Sequence, residues 1–60
     1  MLTLRLVYSY PSQEDELKEH LYYNGYTVVW KSKNIIFVDA EEIDYIKTIL
    51  QDRHITYTVE

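Results

Sequence analysis

Leu2, Leu4, Leu6, Tyr8 and Tyr10 alternate with Thr3, Arg5, Val7 and Ser9. A period of two predicts a β-strand with one buried face. Pro11 ends that ladder, because proline has no N–H to donate. Ser12 follows as an N-cap with Asp15 three residues on, in the manner of a capping box. Glu14, Asp15 and Glu16 then fill a first helical turn, where the macrodipole favours anions. Leu17 and Leu21 share one face of this helix, and Asn24-Gly25 ends it, with Gly25 suited to a left-handed C′ position. Tyr26–Lys31 is β-branched and aromatic and predicts a second strand. Ser32, Lys33 and Asn34 form a polar turn, and Ile35–Val38 a third strand that pairs with the second as a hairpin. Asp39 caps a second helix, with Glu42 at N3 completing a capping box. Ile43, Ile46, Ile49 and Leu50 are spaced as one helical stripe. Lys47 and Arg53 lie toward that helix's C-terminal half, as the dipole prefers. Ile55, Tyr57 and Val59 alternate with Thr56 and Thr58 as a last strand.

The order strand, helix, strand, strand, helix, strand makes two split βαβ units. Right-handed crossovers place the strands antiparallel in the order 4-1-3-2, with both helices on one face. This α+β two-layer topology resembles the ferredoxin-like βαββαβ superfold. That superfold hosts many unrelated activities, so the resemblance implies a fold and no function.

A sheet covered on one side should be apolar on one side only. The first and last strands obey this. Val28, Val29 and Trp30 do not, and neither do Ile35, Ile36, Phe37 and Val38. Either Ile35 and Phe37 or Ile36 and Val38 must point away from the helices. Val7 joins that open face from the first strand, and Val29 or Trp30 from the edge strand. An apolar patch of this kind marks an interaction surface. Tyr45 points away from the second helix's isoleucine stripe, Tyr22 and Tyr23 flank the first helix's leucines, and tyrosine is enriched at interfaces. The expected partner-binding set is therefore Val7, Val29, Trp30, Ile35, Phe37 and Tyr45. The bland alternative is that these side chains cover a thin core.

Composition narrows the field. Sixty residues make one domain, residues 1–60. A chain this short buries only roughly 60% of its unfolded surface, and self-association would help to stabilise it. Cysteine is absent, which removes disulfides and thiolate metal sites and suits a reducing compartment. Met1–Pro11 lacks the basic and apolar regions of a signal peptide, and no stretch is long enough to span a membrane. A cytoplasmic chain is expected, and a short product opening on its own Met1 would suit a phage or mobile element. Nine aromatic residues, seven of them tyrosine, argue against disorder. The net charge of −4 provides no basic field for nucleic acid.

The chemistry of catalysis is thin. Gly25 is the only glycine, so no phosphate loop exists. His20 reads as a boundary residue and His54 as compensation for a helix dipole. Ser9, Ser12 and Ser32 have no neighbouring base. Asp39, Glu41, Glu42 and Asp44 lie at a helix start rather than on a calcium-binding turn. With Glu60 they form one acidic pole. Glu14–Glu16 form another, near Lys31 and Lys33. No cofactor, metal or catalytic residue is expected. The leading reading is a non-enzymatic protein-interaction module, a small regulator, inhibitor or accessory subunit, with a homodimer expected. Single-stranded nucleic acid binding on the open sheet face is the alternative. Against it, the first strand's open face has no aromatic, and Phe37 is the third strand's only one.

Overall fold

The computed structural model describes residues 1–60, as β1 (Leu2–Val7), α1 (Gln13–Tyr23), β2 (Val28–Trp30), β3 (Ile35–Val38), α2 (Ile43–Asp52) and β4 (Thr56–Val59). The four strands form one antiparallel sheet in the order β2-β3-β1-β4. This is the expected 4-1-3-2 order read from the other edge. β1 is central: Leu4 pairs with Ile36 of β3 on one side and with Val59 of β4 on the other.

Leu4 and Leu6 meet Ile36 and Val38, and both helices cover this face with Leu17, Leu21, Ile46 and Leu50. Ile55 closes the cluster between α2 and β4. The alternation of β1 decides the register of β3. Because Leu4 faces the helices, its cross-strand partner Ile36 must do so too. Ile35 and Phe37 are thereby turned to the open face.

Several elements are shorter than the hydrophobic pattern predicts. β1 stops at Val7, since Tyr10 already accepts a turn bond from the Gln13 N–H at 3.2 Å. β2 begins at Val28 rather than Tyr26, because Gly25 and Tyr26 close α1. Asn24 caps that helix, the Gly25 N–H donates to the Tyr22 carbonyl, and the Tyr26 N–H donates to the Leu21 carbonyl. Gly25 has φ +75°, the left-handed conformation that this Schellman closure requires. α2 ends in the same way without a glycine. His54 takes φ +58°, its N–H donates to Gln51, and the Ile55 N–H donates to Leu50. His54 therefore terminates α2 through its backbone, a role its side chain did not signal.

Neither capping box forms. Ser12 is already in the helical region and makes no side-chain cap; its hydroxyl donates to Glu16 at 3.1 Å. Asp39 accepts from the Glu41 N–H in a tight turn, and α2 begins only at Ile43. Glu42 instead accepts from the Thr27 N–H at 3.3 Å, tying the start of α2 to the approach to β2.

Tyr8, just beyond β1, donates its hydroxyl to the Lys33 carbonyl and so latches the β2–β3 hairpin. Burial first, and the Glu14 carboxylate second, push this phenol up to about 12. In the unfolded chain it ionises near 10. The folded state thus holds its proton more tightly, and the stability this confers is present below about pH 10 and lost as pH rises toward 12. Allowing for partial exposure, the loss is on the order of 1–2 kcal/mol. Denaturant titrations between pH 9 and about 12 should show that decline, and Tyr8→Phe should flatten it.

Candidate functional site

The open face of the sheet is built from alternate residues of its strands. Val29 of β2 lies beside Phe37 of β3, and Phe37 lies beside Thr3 of β1. One row on, Ile35 lies beside Arg5, and Arg5 beside Thr58 of β4. Val7 continues β1 opposite Thr56. Val7 and Val29 are exposed, at 61% and 49% of their surface, while Ile35 and Phe37 are half-buried by their neighbours.

Four of the six expected partner-binding residues therefore share this face: Val7, Val29, Ile35 and Phe37. Trp30 does not. It lies on the helix side of the edge strand, packed against the core, with the Lys18 ammonium 5.0 Å from its ring centroid. The strand period places Trp30 opposite to Val29, so only one of the two can face outward. Tyr45 is exposed on α2, with its ring 6.5 Å from that of Tyr26, and takes no part in the open face.

Charge on this face is sparse. Arg5 pairs with Glu60 at 2.5 Å, so one carboxylate of the C-terminal end is matched by a cation on this face. The Lys31 ammonium lies 5.8 Å from the Phe37 ring centroid. The rest is threonine and aliphatic side chain. Such a surface can exclude water over its apolar centre and offer hydroxyls and a few charges at its rim.

Further titratable groups link α1 to the end of α2. The Arg53 guanidinium donates to His20 Nδ1 at 3.1 Å and also lies 3.8 Å from Glu16. No three His, Asp or Glu side chains converge as a metal site would require. A residue missed by the hydrophobic pattern stands beside them. Gln13 is only 3% exposed, and its amide joins the Ser9 N–H at 2.6 Å to the Arg53 carbonyl at 2.5 Å. Its spacing from Leu17 and Leu21 was the available signal: a polar residue on the buried stripe must bring its partners with it.

A second feature lies on the helix side of β2. Lys18, Tyr22 and Tyr23 of α1 face Tyr26, Val28 and Trp30 across a concavity of about 440 Å³. It is open at the sheet edge, and half of its lining residues are aromatic.

No helix is long and apolar enough to cross a membrane. No family model, curated protein or solved structure matches this chain.

Proposed function

We propose that this chain is a non-enzymatic protein-interaction module of ferredoxin-like fold, binding a partner protein through the open face of its sheet. The strand order and the two helices on one face support the fold assignment. The observation that carries the function is the register. Val29, Ile35 and Phe37 form an apolar centre on a sheet face that nothing in the chain covers, with Val7 beyond it. Apolar side chains grouped in this way on so small a domain favour association with another surface. The near-cancellation of charge on the face favours protein over a polyanion, because phosphate backbones are held by several lysines and arginines. A regulator, inhibitor or accessory subunit acting by covering part of its partner fits such a surface.

The test compares wild-type and Phe37→Lys chains as affinity baits in an extract of the source cells. Any specifically captured protein is then purified and titrated against both chains. The expected result is micromolar or tighter binding to wild type, weakened at least tenfold by Phe37→Lys. Equal binding by the two chains would remove the open face from the reading. Salt-sensitive binding of single-stranded oligonucleotides by wild type, lost in Phe37→Lys, would transfer the face to nucleic acid.

A further inference from the structure

We infer that two copies of this chain pair antiparallel through the exposed edge of β2, joining their sheets into one. The inference uses the strand edge, and it stands independently of the open-face reading.

β2 is an outer strand of the sheet. The Lys31 N–H donates to the Ile35 carbonyl at 2.9 Å, and Val29 sits opposite Phe37 in the same register. In an antiparallel ladder the hydrogen-bonded positions alternate. Lys31 and Val29 therefore direct their backbone groups toward β3, while Val28 and Trp30 direct theirs outward. Such an edge is a template for another strand unless it is blocked. β2 carries no proline and no bulge, and its shortness and the flanking Lys31 weaken the edge without closing it.

Charge selects the occupant and its direction. The hairpin end of β2 carries Lys31 and Lys33. The other end adjoins Thr27, whose N–H is held by Glu42, and the turn containing Asp39 and Glu41. A second copy running antiparallel sets basic end against acidic end at both extremities. A parallel copy would set like against like. With the dyad at Val29, Val28 lies opposite Trp30 of the second copy and exchanges N–H···O=C bonds with it. Lys31 lies opposite Thr27 of the second copy, which brings it toward the acidic end of that copy's strand.

Side chains agree with this register. On the open side, Val29 meets its own symmetry mate and joins the two apolar faces. On the helix side, Trp30 approaches the Tyr22 and Tyr26 wall of the other copy, closing the aromatic concavity beside each edge. Tryptophan and tyrosine are the residues that most often dominate interface energies. A standard interface takes about 800 Å² from each partner. That is about a fifth of the 4059 Å² one chain exposes. A three-residue edge with its flanking side chains offers less, so the pairing is reversible and dissociates on dilution.

Because the chain has no cysteine, Val29→Cys introduces a single thiol. At a non-hydrogen-bonded pair the two Cα atoms lie about 4.5 Å apart, within disulfide range. Oxidised glutathione takes the electrons, converting two thiols to one disulfide. The expected result is a covalent dimer forming at least tenfold faster in Val29→Cys than in Val7→Cys, and more slowly as salt is raised. Light scattering on the wild-type chain should show mass rising from monomer toward dimer across the micromolar to millimolar range. Equal rates for the two variants would mean that the copies meet face to face or at random. Either that result or a wild-type monomer at millimolar concentration overturns the edge pairing. Neither touches binding of a different protein to Phe37, which is read by its own titration.

Discussion

Ile36→Lys should unfold this protein at 25 °C, whereas the same change one residue along, Phe37→Lys, should leave it folded. Ile36 is fully buried between Leu4 and the helices. A lysine there must either bury an unpaired ammonium or drag its strand out of register, at a cost of roughly 4 kcal/mol or more. A domain of this size has only about 3–5 kcal/mol to lose. Phe37 projects from the opposite side of the same strand. Its replacement forfeits the pairing with Val29 and the approach of Lys31, each worth about 0.5 kcal/mol. Circular dichroism and thermal melts read both outcomes directly. Ile36→Lys should show no cooperative transition. Phe37→Lys should melt no more than about 8 °C below wild type. A reversed pair of results would mean that β3 is shifted by one residue and that the greasy face lies against the helices.

That contrast also shows which parts of the fold were legible in the sequence. β1 announces both its existence and its buried face, because its neighbours across the sheet cover only one side. β3 announces its existence alone. Four consecutive apolar residues carry no period of two, so the face that is buried comes from pairing with β1, about thirty residues away in the chain. The same ambiguity put both Val29 and Trp30 among the candidate interface residues, although a strand can turn only one of them outward. The caps failed for a different reason. Ser12 and Asp39 carry suitable side chains, but the backbone enters each helix through a preceding turn and the carboxylates find other donors, as Glu42 does at Thr27. The end of α2 was legible as a stop in the hydrophobic stripe. His54 gave no hint of its left-handed backbone, since glycine is the usual signal there. The open face was therefore legible as a surplus of apolar residues, and its membership required the structure.

Gln13→Leu should be the most damaging substitution outside the aliphatic core, even though leucine fills nearly the same volume. The Gln13 amide accepts from the Ser9 N–H and donates to the Arg53 carbonyl. It thus joins the exit of β1, the start of α1 and the end of α2 at one buried point. Leucine would leave a backbone donor and a backbone acceptor facing an apolar group. Each such orphan costs about 1–3 kcal/mol, and the two together about 3 kcal/mol. Added burial of the leucine returns roughly 1 kcal/mol at most, because the site is already closed to water. The net loss of about 2 kcal/mol corresponds to a melting point lower by roughly 8–16 °C in a domain of this length. Urea denaturation should show the same loss as a lower midpoint with an unchanged slope. Hydrogen exchange should locate it, with the Ser9 amide losing its protection first. A Gln13→Leu chain as stable as wild type would mean that Ser9 and Arg53 find other partners, and that the contact only reports how closely the two helix ends approach.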